Sequence, residues 1–107
     1  MYTVKLLPSA QRDVREIAVY ISGVLGNPQA AISQSERLFD GIKSLSSFPY
    51  RRPVYAPLKA LKHEYRALRV DRYLIFYWVN DAELEVVVAR VLYGRADITH
   101  RFVSKGD

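Results

Sequence analysis

Apolar and polar positions alternate from Tyr2 to Leu7, which predicts a short strand. Pro8 stops it, and Ser9 offers a hydroxyl to cap the free amides of a following helix. Val14, Ile17, Ala18 and Ile21 then recur at i, i+3, i+4 and i+7, one stripe of an α-helix with Gly23 and Gly26 as its terminators. Asn27-Pro28 restarts the helical pattern, asparagine as cap and proline with its φ preset for the first turn. This second helix runs to about Ser46, with Ala31, Ser35, Leu38, Ile42 and Leu45 on its inner face. Two helices joined by so brief a turn form an antiparallel hairpin.

From Pro49 to His63 the period is lost. Pro49, Pro53 and Pro57 recur every fourth residue, which excludes an α-helix and favours extended backbone. Three strand-like runs follow, Tyr65–Val70, Tyr73–Val79 and Leu84–Leu92, with joins short enough to require antiparallel neighbours. The polar tail from Gly94 to Asp107 has room for one helical turn. The expected fold is α+β in a single domain spanning residues 1–107: an N-terminal strand, an antiparallel helix hairpin and a three-strand antiparallel meander, the helices packed on one face of an antiparallel sheet.

That architecture has an accounting problem. Strict alternation puts Leu74, Phe76 and Trp78 on one face of the second run and Tyr73, Ile75, Tyr77 and Val79 on the other. In the third run it puts Leu84, Val86, Val88 and Leu92 opposite Val87, Ala89, Val91 and Tyr93. Both faces are apolar, as in strands buried on both sides, yet two helices cover only one. The expectation is that another chain, a partner or a second copy, covers the remainder; the alternative is cover by the Pro-rich connector and tail. Arg90 falls by the same alternation among Val86, Val88 and Leu92. A buried guanidinium requires a carboxylate or several acceptors, and Glu85, Asp97 or another acid would serve.

Charge changes the picture because of where it sits. The net charge of +5 is carried by the stretch from Arg51 to Arg72, where seven basic residues face only Glu64 and Asp71. Such a cluster attracts nucleic acid or an acidic protein; its bland counterpart is a solvated basic face. The chain has no cysteine, so disulfides and thiolate chemistry are excluded. No apolar run approaches the ~20 residues that span a bilayer, and the N-terminus lacks a secretory pattern, so a cytoplasmic protein without membrane contact is expected. The histidines, His63 and His100, are too far apart for a recognised metal motif, and no phosphate-binding glycine loop or nucleophile elbow occurs. Neither a metal nor a cofactor is expected.

The order of elements, together with RYLIFY (Arg72–Tyr77) in a core strand and VLYGRAD (Val91–Asp97) at the end of the last, resembles the RelE/ParE superfamily of toxins from type II toxin–antitoxin modules, the addiction or plasmid-stabilisation systems. The resemblance covers essentially the whole chain. It implies a cognate antitoxin that wraps the toxin in a hetero-oligomer, with Tyr73, Ile75, Tyr77 and Arg90 as candidate contacts.

The superfamily has two activities. RelE-like members cut mRNA in the ribosomal A site, which needs a base, a cation for the phosphorane and an acid for the leaving oxygen. Where such members carry a strand arginine, a connector glutamate and a second arginine after the last-strand glycine, this chain has Leu74, Ala56 and Ala96. ParE-like members inhibit DNA gyrase by binding, and tend to keep the V-L-H-G-R ending that Val91–Arg95 approximates with Tyr93 for histidine. The resemblance therefore leans to a ParE-like, non-hydrolytic toxin with Arg66, Arg69, Arg72, Arg95 and Arg101 as target contacts. The alternative is a ribosome-dependent endoribonuclease with a displaced set: Lys59, Lys62 and Arg69 for phosphate, Arg95 or Arg101 for the transition state, and Tyr77, Tyr93 or His100 for proton transfer. A third possibility is a catalytically degenerate member that only binds antitoxin.

Overall fold

A computed structural model describes residues 1–104 and forms β1 (Thr3–Leu6), α1 (Pro8–Val19), α2 (Pro28–Ser44), β2 (Arg66–Val70), β3 (Tyr73–Asn80), β4 (Glu85–Tyr93) and α3 (Ile98–Ser104). The sheet order is β1-β4-β3-β2. Strands β2, β3 and β4 make the expected antiparallel meander, but β1 joins β4 in parallel, Thr3 opposite Glu85 and Leu6 opposite Val88. Alternation along one strand is blind to the direction of its neighbour, so the expectation of a wholly antiparallel sheet fails at β1.

Helix α1 begins at Pro8 with no side-chain cap. The Ser9 hydroxyl, expected to cap it, donates instead to the Ala89 carbonyl at 2.7 Å. The helical run widens into a π-turn over Tyr20–Val24 and ends between its two expected terminators, the chain reversing at Gly26, whose φ of 66° suits glycine. Asn27 does cap α2, accepting from the Ala30 amide at 3.0 Å. The buried face of α2 is Ala31, Gln34, Leu38 and Ile42. Gln34 displaces Ser35 from the expected stripe because its amide donates to Asp71 at 2.9 Å. A Cβ at Gly41 would lie 2.7 Å from a Val70 methyl, so glycine there is what lets α2 rest on β2.

The inner core, between the hairpin and the sheet, is built on Val14, Leu38, Ile42, Ile75, Tyr77 and Val88. A second core lies on the other face, around Leu58, Tyr65, Leu74, Phe76, Leu92 and Phe102. The chain covers this face itself, which overturns the expectation of an outside cover. The connector winds into two 3₁₀ turns, Pro49–Arg51 and Ala56–Leu58, and brings Tyr55, Leu58 and Leu61 onto the sheet. His63 lies flat on Trp78, ring centroids 3.7 Å apart. The tail supplies α3, seven residues rather than a single turn, and sets Phe102 edge-on against Phe76 and Tyr65 at 5.2 and 5.0 Å.

The alternation along β4 is broken. Phe76 pairs with Arg90 and Tyr77 with Val88, leaving Ala89 unpaired in a β-bulge. The extra residue reverses parity, so Val86, Val88 and Val91 face the hairpin while Ala89 and Leu92 face the outer core. Leu92 therefore does not share the face of Val86 and Val88, as strict alternation required.

Beyond Val88, β4 outruns β1, and an unpaired strand edge is a template for wrong partners. Helix α1 closes it. The Asp13 carboxylate accepts from Arg90 at 2.7 and 2.9 Å and from the Val91 amide at 2.9 Å, all buried. Arg90 also donates to the Arg101 carbonyl at 3.0 Å, so one guanidinium ties α1, β4 and α3 together. The acid required by Arg90 is Asp13, neither Glu85 nor Asp97.

At the opposite end of the sheet Asp81, in the β3–β4 turn, accepts from the Tyr2 hydroxyl at 2.7 Å and from the Tyr50 hydroxyl. This clasp joins the N-terminus, the connector and the hairpin turn. Hydrogen bonds from Tyr50 first and Tyr2 second hold the Asp81 carboxyl below its ordinary 3.8. The hydrogen bond to Asp81, with smaller desolvation, pushes Tyr50 up to about 12. A carboxyl whose folded pKa is depressed contributes stability above its unfolded pKa and loses it as pH falls through the folded one. A phenol whose folded pKa is raised contributes below its unfolded value near 10 and loses it as pH rises through the folded value. Asp81→Ala is therefore expected to lower Tm by a nearly constant, small amount between pH 5 and pH 9. The wild-type and variant curves should begin to converge as pH falls below about 4, and again as it rises from about 10 towards the folded Tyr50 value of about 12. A Tm difference independent of pH would separate the clasp from these ionisations.

Candidate functional site

The turn between β2 and β3 decides the geometry of the basic face. Asp71 takes φ 55°, a left-handed conformation that aspartate tolerates better than most residues. Its carboxylate turns towards α2, accepting from Arg37 at 2.7 Å and Gln34 at 2.9 Å. These two bonds, Arg37 foremost, hold its carboxyl below the usual aspartate range. The acid nearest in sequence to Arg69 and Arg72 is thus engaged elsewhere.

What is left is a pocket of about 450 Å³ lined by Arg69, Arg72, Tyr93, Gly94 and Arg95. It carries three guanidinium groups and no carboxylate. Among the described residues no ion pair engages any of the three. The Gly94 amide donates to the Arg72 carbonyl at 2.8 Å, binding the end of β4 to the β2–β3 turn. A Cβ on Gly94 would sit 3.2 Å from one Arg69 nitrogen and 3.3 Å from the other, so this glycine makes room for the guanidinium fork. A concave site of one sign with little competing acid suits an anion.

Next to it is a hollow of about 760 Å³ between α1 and the end of the sheet, sharing Arg72 and Tyr93 with the pocket. Its wall includes Ile17, Tyr20, Ile21 and Tyr73, and Glu16 and Arg101 stand at its rim. Tyr73 and Tyr93 meet edge-on, centroids 6.1 Å apart.

Of the expected target contacts, Arg69, Arg72 and Arg95 converge, and Arg101 lies beside them at the hollow. Arg66 does not join them. It points to the other end of the sheet, donating to the Arg52 carbonyl at 2.6 Å, pairing with Glu64 at 3.2 Å and lying over the Tyr50 ring at 4.9 Å. The displaced catalytic set is dispersed. Tyr77 is fully buried in the inner core, its hydroxyl donating to the Pro49 carbonyl at 2.6 Å and its pKa raised by burial. Lys62 lines a separate hollow with Arg66 and Trp78. Trp78 lies five strand positions from the Tyr73–Tyr93 pair, roughly 16 Å along the sheet. Lys59 is exposed on the connector and His100 is exposed on α3. Of that set, Arg69, Tyr93 and Arg95 share the arginine pocket, and Arg101 lines the adjoining hollow with Tyr93.

The expected antitoxin contacts fare differently again. Ile75 and Tyr77 are inaccessible and Arg90 is 2% exposed, all three used by the fold. Alternation identified them as apolar or odd but could not say that the fold itself would enclose all three. Tyr73 alone of the four reaches the surface. The Asp13 contact and the tyrosine hollow carry no local sequence signal, since each depends on α1 lying along β4. Among the described residues no group of histidine, aspartate and glutamate side chains could hold a metal ion, and no helix is long and apolar enough to cross a membrane.

Residues 4–98 match the family described as the ParE toxin of type II toxin-antitoxin system, parDE. The chain belongs to the ParE toxin family. No curated protein matches the sequence significantly. Among solved structures, the chromosomal ParDE toxin–antitoxin system from P. aeruginosa matches at TM-score 0.71 and 17% identity, over 87% of this chain and 96% of that one. The isolated E. coli RelE toxin matches at TM-score 0.60 and 15% identity, over 98% of each chain. The toxin–antitoxin complex RelBE2 from Mycobacterium tuberculosis matches at TM-score 0.52 and 25% identity, over 90% of this chain and 93% of that one. At such identities the first two matches speak for the shared toxin fold. The ParE assignment itself rests on the family match.

Proposed function

We propose that this ParE-family toxin acts in the cytoplasm by binding DNA gyrase rather than by cutting RNA, and that a cognate antitoxin neutralises it. The observation that carries the reading is the arginine pocket. It gathers charge for recognition, yet the positions where an RNA-cleaving relative would place reactive groups hold apolar side chains, two of them used in packing. Leu74 is buried in the outer core and Ala96 packs against it, while Ala56 opens a 3₁₀ turn of the connector. Arginine titrates too high to serve as a base, and Tyr77 is sequestered, so proton transfer would fall to Tyr93 or His100 alone. The antitoxin is supported by the P. aeruginosa and M. tuberculosis relatives, whose structures are described as a toxin–antitoxin system and complex.

The test uses the purified chain in two assays. Gyrase supercoiling should be inhibited with accumulation of cleaved DNA, and mRNA on translating ribosomes should stay intact. Arg69→Glu with Arg95→Glu should weaken gyrase inhibition at least tenfold, in keeping with the ~2 kcal/mol or more that an anchoring arginine contributes. Cleaved mRNA with gyrase untouched would replace this reading by the ribonuclease one. Inactivity in both assays would leave a binding-only member.

A further inference from the structure

The arginine pocket and the tyrosine hollow are one continuous surface, because Arg72 and Tyr93 line both. On one side three guanidiniums stand without an acid. On the other, Tyr20 at 52% exposure and Tyr93 at 41% offer accessible ring surface, with part-buried Tyr73 between α1 and the sheet. Pure charge recognition has no use for aromatic walls. Pure apolar docking has no use for three unpaired cations at its mouth. The ligand that uses both is one in which a planar group lies next to a phosphate.

We infer that this composite surface binds an unpaired nucleic-acid strand, phosphates on Arg69, Arg72 and Arg95 and a base against the tyrosines. Duplex DNA hides its base faces inside the stack, so it could engage the arginines but gain nothing from the hollow. An unpaired nucleotide presents a π-face to any aromatic wall, whatever the base, and guanidinium forks hold the adjoining phosphate. The concavity points the same way, since the cations line a pocket next to a hollow rather than a flat strip that would follow a duplex. Glu16 and Arg101 both line the hollow, so its charge is mixed where the pocket's is wholly positive, and it is the ring surface of the tyrosines that suits that side to the base. The inference deepens the gyrase reading, since a toxin that stabilises cleaved DNA would then hold the strand itself as well as the enzyme. It stands or falls on direct binding without gyrase.

The experiment is fluorescence anisotropy of the full chain with a labelled single-stranded thymidine oligonucleotide, its duplex with adenosine, and thymidine monophosphate as competitor. Single strand should bind at least tenfold tighter than duplex, and log affinity should fall with log salt at a slope of about −2, as expected for three phosphate contacts. Arg69→Gln, Arg72→Gln and Arg95→Gln together should abolish the preference. Arg12→Gln, Arg15→Gln and Lys43→Gln, which remove the same charge from exposed helix positions, should retain it. Tyr20→Ala, at an exposed site, should weaken single-strand binding roughly tenfold and leave duplex binding unchanged. Equal binding of duplex, or equal loss in both triple variants, would overturn the inference in favour of diffuse charge. Competition by the monophosphate at the oligonucleotide's own concentration would overturn the assignment to a strand. Gyrase inhibition that depends on these arginines, with no oligonucleotide binding, would make them contacts to an acidic protein surface and overturn it while sparing the gyrase reading. Strand binding without gyrase inhibition would do the reverse.

Discussion

Asp13→Ala is expected to destabilise the fold by about 3–5 kcal/mol, the usual consequence of removing one partner from a buried ion pair. Domains of this size have only about 5–15 kcal/mol in total, so a substantial unfolded population should be visible by denaturant titration. The magnitude comes from what is left behind. Arg90 is 2% exposed and would keep its charge with only the Arg101 carbonyl to receive it, and the Val91 amide would lose its acceptor. Replacing both members, as Asp13→Leu with Arg90→Met, removes the stranded charge. Buried pairs exchanged for apolar residues of similar bulk often cost little. The double variant should therefore recover most of the loss, remaining below wild type by the ~1–3 kcal/mol of an unsatisfied buried amide. If Asp13→Ala cost less than 1 kcal/mol, the pair would have to be hydrated and the closure of β4 by α1 would need another cause.

This pair also marks the limit of what the sequence discloses. Elements with a strong period were legible: the helix hairpin, its Asn27 cap and the three-strand meander all follow from local spacing. The superfamily was legible from RYLIFY and VLYGRAD, because those runs are contiguous. The failures share one cause, a long-range fact with no local trace. Parallel pairing of β1 depends on where the hairpin returns the chain. The bulge at Ala89 shifts every later side chain by one face, and Ala89 is unremarkable in composition. Tyr55, Leu58 and Leu61 lie among prolines and cations with no period to orient them, so cover by the connector stands in sequence only as the alternative to cover by another chain. The candidate site was half legible for the same reason. Arg69, Arg72 and Arg95 stand out as cations at strand ends, whereas period-2 parity gives no hint that Gly94 would admit the Arg69 fork between two strands. Arg66 shares the expected target role with Arg69, although period-2 parity already sets the two on opposite faces of their strand. Three positions of strand send it to the far end of β2, where Tyr50 and Glu64 occupy it.

Phe102→Ala should cost about 3–5 kcal/mol in the isolated chain. The side chain is wholly buried and packs against the rings of Tyr65 and Phe76, so its removal loses transfer energy and leaves a cavity that the sheet cannot collapse into. Phe39→Ala, at 44% exposure on the hairpin's outer side, should shift stability by no more than about 0.5 kcal/mol. The contrast in denaturant midpoints decides which chain owns the outer face. Were that face normally covered by a partner, the free toxin would not depend on Phe102, and the two variants would be alike. Activity should follow stability in a graded way, because α3 is joined to β4 through the short turn that carries Arg95 and Ala96. Loosening α3 frees Arg95 from its place beside Arg69 and Arg72 before the inner core is disturbed. At a temperature where Phe102→Ala remains mostly folded by far-ultraviolet circular dichroism, target binding should already be weakened, and more steeply than in the remote Asp81→Ala compared at the same folded fraction.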